Sequence, residues 1–289
     1  MHIFEQIDPL EECLNSCRED GQSIAIVPTM GGLHEGHLKL IDKAKECSDM
    51  VVVSVFVNPT QFAENEDFEA YPKTLSEDKK LLEAIKVDAM FVPLDNQIYP
   101  DGSSQDYDVG EMGKILCGIS RPIHFNGVAQ VVARLFDIVK PDYAVFGEKD
   151  YQQLLIINSL VERQDIKTTL VSVPTVRESD GLAMSTRNNY LSLEDRANAP
   201  FFYQQLVDTK AVIQSGTDIS RATEQAEDAL NNIFDVEYVE VLNANNLTQI
   251  TTSSSEIIII SAVRLSETRL IDNIAVSYTH LTLPTTPYV

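Results

Sequence analysis

The chain is short of cations. Its 289 residues carry 22 Lys and Arg against 44 Asp and Glu, a formal charge of −22. Proteins bind nucleic acid largely by replacing phosphate counterions with their own cations, and anionic membrane surfaces attract polybasic segments. Neither partner is expected here. An anionic substrate could bind only where the few cations cluster, or through a divalent metal. Cysteine is also scarce: Cys13, Cys17, Cys47 and Cys117 form no C-x-x-C pair. Cys13 and Cys17 lie four apart and fit one helix. This spacing suits neither a zinc site nor a disulfide framework, which leaves free thiols in a reducing compartment. Long apolar runs are missing as well. No stretch approaches the ~20 residues of a membrane span, and the opening MHIFEQIDPLEEC is acidic where a signal peptide would be apolar. The expected location is the cytoplasm.

What remains is ordinary for a soluble globular protein: 44% hydrophobic and 23% charged residues. The length is enough to bury a sizeable core and suggests about two domains. Continuous apolar runs alternate with amphipathic stretches through the first part. Strands are expected at Ser23–Pro28, Met50–Val57, Asp88–Val92, Tyr143–Phe146 and Thr168–Val173. Helices are expected at Gly36–Cys47, Leu75–Ile85, Val128–Val139 and Tyr151–Val161. Such alternation implies a parallel sheet covered on both faces, with ligands beyond the carboxyl ends of its strands. After about residue 176 the pattern changes. Residues 194–231 look helical, and strands are expected at Glu237–Leu242, Ile257–Ile260 and Glu267–Ile271, around a polar patch at Thr251–Ser255. This second part reads as a small α+β domain, with the linker near Pro174–Ser179. From Ser277 the sequence SYTHLTLPTTPYV carries no charge and reads as a tail outside the folded unit.

The loops that follow the strands hold the chemistry. Pro28 is followed by Thr29-Met30-Gly31-Gly32-Leu33-His34-Glu35-Gly36-His37. Two glycines let a ligand approach the main chain, and a helix start offers N–H groups and a positive dipole end to phosphate. The His-x-x-His spacing puts two imidazoles on one side of the first turn. A metal could use them, but no nearby Cys or third His supports it. Gly110–Lys114 ends in Ile115 rather than Ser or Thr, so it is no P-loop. Asn58 and Gln61 lie in a turn after the second strand, where amides both donate and accept. Glu77 and Asp78 either complement a helix dipole or hold Mg²⁺ beside ATP phosphates. Arg121, His124 and Gly127 precede another helix. Gly147-Glu148-Lys149-Asp150 joins a strand to a helix; Lys149 suits phosphate, and Asp150 could cap the helix, meet a ribose, or do both. Arg177–Asn188 is either a linker or a loop that closes over a nucleotide.

The His-x-Gly-His signature is similar to that of the adenylyl-transferring superfamily that includes class I aminoacyl-tRNA synthetases. Taken together, PTMGGLHEGH, FVNPTQF, GEKDYQQL, VRESDGLAMS and STRN resemble the pantoate–β-alanine ligase (pantothenate synthetase) family, from about Ile24 to about Asn273. The resemblance implies a Rossmann-like ATP- and pantoate-binding domain at residues 1–175 and a smaller α+β lid domain at 176–276, with 277–289 left over. It implies ATP-dependent condensation of pantoate with β-alanine through a pantoyl adenylate, with Mg²⁺, in a cytoplasmic homodimer. Met30, Gly31, Gly32, Leu33, His34, Glu35, Gly36 and His37 would form the nucleotide loop, with His34 and His37 on phosphates and His37 as proton donor. Gly147, Glu148, Lys149, Asp150, Val176, Met184, Ser185, Thr186 and Arg187 would complete the ATP site. Gln61 and Gln153 would hold pantoate, Gln61 would also meet β-alanine, and Asn58, Tyr71 and Arg121 would line the cavity. Glu77 and Asp78 would take the metal. Thr186 departs from the commoner Ser but keeps a hydroxyl, and Ile123 stands where a small residue is more usual, which could shift the arm around Arg121.

Overall fold

The computed structural model describes residues 1–64, 66–100, 102, 107–251 and 256–277. The polar residues 252–255 and the uncharged tail after Ser277 lie outside the described residues. The chain divides into two compact units, Met1–Val176 and the part from Arg177 onward.

The first unit is an α/β sandwich. Its elements are β1 (His2–Phe4), α1 (Ile7–Glu19), β2 (Ile24–Thr29), α2 (Glu35–Cys47), β3 (Met50–Val55), α3 (Leu75–Ala84) and β4 (Ala89–Phe91). Then come α4 (Asp95–Ile98), α5 (Cys117–Ser120), α6 (His124–Val139), β5 (Tyr143–Gly147), α7 (Tyr151–Arg163) and β6 (Thr169–Val173). The strands are parallel, in the order β1-β4-β3-β2-β5-β6. Successive residues of β2 serve opposite faces, which is why its sequence is apolar without alternation. Ile24 and Ile26 join Leu10, Leu14, Val132, Phe136 and Ile157 in one core. Ala25 and Val27 join Ile41, Ala44, Val53, Leu82 and Met90 in the other.

The chain order reverses between β2 and β5, the place where doubly wound sheets bind ligands. The β2–β3 ladder runs through Thr29, but the β2–β5 ladder stops at Ile26. The two strands therefore part at their carboxyl ends, where Pro28 has no N–H to give. α6 begins four residues before its expected start and stops where Lys140 takes a left-handed φ of 45° ahead of Pro141.

The second unit carries α8 (Leu193–Asn198), α9 (Pro200–Gln214) and α10 (Ile219–Leu230), then an antiparallel sheet of β7 (Asp235–Asn243), β8 (Glu256–Leu265) and β9 (Thr268–Ser277). One sheet face (Val239, Val241, Ile257, Ile259, Val263) packs on Phe202, Leu206, Ala226 and Leu230. β9 runs six residues beyond the expected Ile271, because each residue to Ser277 finds a partner on β8.

Candidate active site

The loop after β2 is built on a buried carboxylate. Gly31 and Gly32 have φ of 81° and 63°, which glycine adopts without a Cβ penalty. Asp78, at the start of α3, is 2% exposed. Its Oδ2 accepts from Gly32 N–H at 3.0 Å and from the Thr74 hydroxyl at 3.1 Å, and its Oδ1 accepts from Leu33 N–H at 2.8 Å. Gly31 N–H donates to Thr29 Oγ1 at 3.2 Å, and that hydroxyl donates to Ser54 O. A Cβ on Gly31 would lie 3.0 Å from Asp78 Oδ2. The amides of Gly31, Gly32 and Leu33 are thus spent on the protein itself.

What faces outward instead is imidazole. His34 caps α2: its Nδ1 accepts from Gly36 N–H at 3.1 Å, while His37 Nδ1 accepts from His34 N–H at 3.2 Å. With both Nδ1 atoms acting as acceptors, each neutral ring carries its proton on Nε2 and offers it as a donor. The rings lie 4.1 Å apart, tilted by 45°. Burial, then His34, then the Lys149 cation lower the His37 pKa to about 3. His37 is therefore neutral near pH 7. Its proton serves as a hydrogen-bond donor.

Lys149 comes from the loop after β5, on the other side of the switch point. Gly147 ends the strand, and Glu148–Asp150 form a short 3₁₀ turn into α7. A Cβ on Gly147 would meet Leu40 at an ordinary 3.8 Å, so this glycine is not sterically required. The Glu148 carboxylate accepts from Ser172 Oγ at 2.7 Å. Asp150 sits at the N-cap but makes no capping hydrogen bond, so capping is not what holds its carboxylate.

The turn after β3 is a web of amides. Asn58 is 1% exposed and is fully engaged by Gln61, Gly127, Thr60 and Tyr99. These contacts brace the turn. Arg121 is likewise committed to Glu66, with Nε and Nη2 at 2.6 and 2.7 Å from the two carboxylate oxygens. Its Nη2 also reaches Gln61 O at 3.3 Å, and His124 Nδ1 lies 3.0 Å from the same oxygen. Ile123 is 51% exposed. Tyr71 is buried edge-on against Phe62, 5.9 Å between rings. Gln153 is half-buried on α7, while its neighbour Gln152 is buried and ties down Met112, Ile115 and Cys117. Glu66, Thr74, Tyr99, His124 and Gln152 escaped notice in the sequence, or were noticed without a partner. Their roles are contacts to residues tens of positions away.

Val176, half-buried, closes the first unit. In the second unit, Arg177–Ala183 forms a tight hairpin rather than a loose linker. Arg177 pairs with Asp272 at 2.5 and 2.8 Å, stacks 3.5 Å over Tyr203, and bridges to Ala183. Gly181 turns the hairpin at φ 95°. Ser185 accepts from Arg187 N–H at 3.3 Å and starts the 3₁₀ turn Thr186–Tyr190. Thr186 is buried; Met184, Ser185 and Arg187 are half-buried.

The expected metal pair does not fit. Asp78 uses both oxygens on the loop, and Glu77 is exposed on α3. No group of three His, Cys, Asp or Glu that could hold a metal ion occurs among the described residues.

A doubly wound parallel sheet, with a histidine pair on one side of its switch point and a lysine on the other, defines a nucleotide-binding enzyme. The pantoate-beta-alanine ligase family matches residues 2–275, and the chain belongs to that family. The pantothenate synthetase of Ruthia magnifica subsp. Calyptogena magnifica is 48% identical over 274 residues, covering 95% of this chain and 98% of the relative. That of Alteromonas mediterranea is 44% identical, covering 96% and 100%. Among solved structures, pantothenate synthetase from Thermus thermophilus superposes with a TM-score of 0.89 at 40% identity, covering 95% and 99%. Pantoate-beta-alanine ligase from Francisella tularensis, complexed with beta-gamma ATP and beta-alanine, gives 0.79 at 35%, covering 95% and 97%.

Proposed function

We propose that the chain condenses pantoate with β-alanine, using ATP, to give pantothenate, AMP and pyrophosphate, the reaction of the family to which it belongs. The pantoate carboxylate attacks the α-phosphorus in line and pyrophosphate leaves. The β-alanine amine then attacks the acyl carbon of the adenylate, AMP leaves, and the amine gives up a proton. No bond to the protein forms, so catalysis is positioning and charge stabilisation. The observation that carries this reading is the pair of Nε2 donors of His34 and His37 beside Lys149. They donate to phosphate oxygens as charge develops there. Asp150 is assigned to the ribose and Gln61 and Gln153 to pantoate. Val176, Met184, Ser185, Thr186 and Arg187 are assigned to ATP by the family resemblance. Mg²⁺ enters this reading with the ATP phosphates and not through Glu77 and Asp78.

The test is pyrophosphate release from ATP with pantoate, with and without β-alanine. The ligase releases pyrophosphate with pantoate and AMP once the amine is added. A plain nucleotidyltransferase would release pyrophosphate with another acid or a phosphate ester and need no amine. No helix among the described residues is long and apolar enough to cross a membrane. We assign the chain to the cytoplasm and to a homodimer, the latter to be checked by light scattering.

A further inference from the structure

One buried donor in the turn after β3 lacks a strong acceptor, and the residues that aim it can be identified. The orientation of Asn58 follows from its neighbours. Its Nδ2 lies 3.0 Å from Gly127 O, which can only accept, and its Oδ1 lies 3.3 Å from Thr60 N–H, which can only donate. The hydroxyls of Thr60 and Tyr99 meet the same Oδ1, and they lie 2.9 Å from each other. Asn58 therefore cannot flip. Its second N–H faces the Gln61 side chain at 3.1 Å, so Gln61 must turn Oε1 toward it. Gln61 Nε2 then points the other way. Among the described residues its acceptor is the Met30 thioether at 3.2 Å, a weak one. Yet Gln61 is only 8% exposed, and a buried N–H without a good acceptor is costly. The backbone of Gln61 is held too, by His124 and by Arg121, itself held by Glu66.

We propose that Asn58 and Tyr99 are positioning residues that lock the Gln61 amide as a hydrogen-bond donor to the acid substrate. This rests on the reading that Gln61 faces pantoate. The subsite then selects a carboxylate or hydroxyl oxygen and rejects an ammonium. If Gln61 also meets β-alanine, it meets the carboxylate and not the amine.

Steady-state kinetics against pantoate and against ATP test this, with thermal unfolding to confirm that each variant folds. Gln61→Glu removes the donor and adds a repelling charge, so it should raise the pantoate KM more than Gln61→Ala does, with the ATP KM unchanged. Asn58→Asp offers only acceptors, turns Gln61 Nε2 toward itself, and should raise the pantoate KM about tenfold, the worth of one hydrogen bond. Tyr99→Phe should act in the same sense and less. A Gln61→Glu enzyme equal to or better than Gln61→Ala would overturn the proposal, as would an Asn58→Asp enzyme with an unchanged pantoate KM. If the wild type releases no pyrophosphate with pantoate, it is the functional reading that fails. The lock is then read by NMR, from the contact between the Gln61 amide protons and the Met30 methyl. That contact should be present in the wild type and lost in Asn58→Asp; its persistence there would overturn the lock.

Discussion

The loop after β2 and the turn after β3 leave neighbouring strands of one sheet and solve the same problem differently. Each must tie down its polar groups and leave chosen donors for a ligand. After β2, a buried carboxylate collects two backbone N–H groups and a hydroxyl, and two left-handed glycines make room for it. The donor it leaves is the imidazole edge of His37. After β3 the brace around Asn58 is a neutral web of amides and hydroxyls, and the donor left over is one carboxamide. An ionic brace with glycines gives a site sensitive to any Cβ or to loss of one oxygen. A neutral web gives a site sensitive to polarity, because swapping one donor for an acceptor reverses everything downstream.

Perturbations should separate the two. The largest effect is expected from the donors themselves: His37→Ala or Lys149→Ala should lower kcat by about 10²–10³, as loss of one stabilising donor typically does, with the fold intact by circular dichroism. Asp78→Asn places an NH₂ where one of two backbone N–H groups must be accepted. It should raise the ATP KM about tenfold, the worth of one hydrogen bond. The Mg²⁺ concentration for half-maximal rate should stay put; a shift there would restore Asp78 as a metal ligand. Gly127→Ala tests the other region, since a Cβ there would lie 2.4 Å from Thr60 O. Overpacking of this kind costs about 1–3 kcal/mol, to be seen in denaturant unfolding, with the pantoate KM raised and the ATP KM spared. The last test concerns pH, where at pH 7 no effect is expected. His37 has a folded pKa of about 3 against an ordinary 6.5, so below 6.5 the unfolded chain takes up the proton first. Stability should fall as pH drops from 6.5 toward 3, and be unaffected by this group above 6.5. In His37→Gln that part of the acid-side loss should vanish from the Tm profile.

Much of the first unit was legible in the sequence. Met50–Val55 is almost unbroken β-former, and its fate as a strand buried on both faces follows from that alone. β1 was not legible, since three residues carry no periodicity and its pairing with β4 exists only in space. The start of α6 was missed because Gly127 resembles a helix boundary. Its place inside the helix follows from the close approach of Thr60 and Gln61, which leaves no room for a side chain.

The class of chemistry was readable from the chain alone. Paired histidines, a lysine, and glycines after buried strands are residue types whose function depends on local spacing, and local spacing is written in the chain. Which polar groups remain available once the chain has satisfied itself depends on how distant segments meet. Asp78 read as a metal ligand or a helix-dipole partner, Asn58 as a wall of the cavity, and Gly31–Gly32 as main chain open to a ligand. Each turned inward because a buried carboxylate, amide or N–H must find its partner, and those partners lie on other segments of the fold.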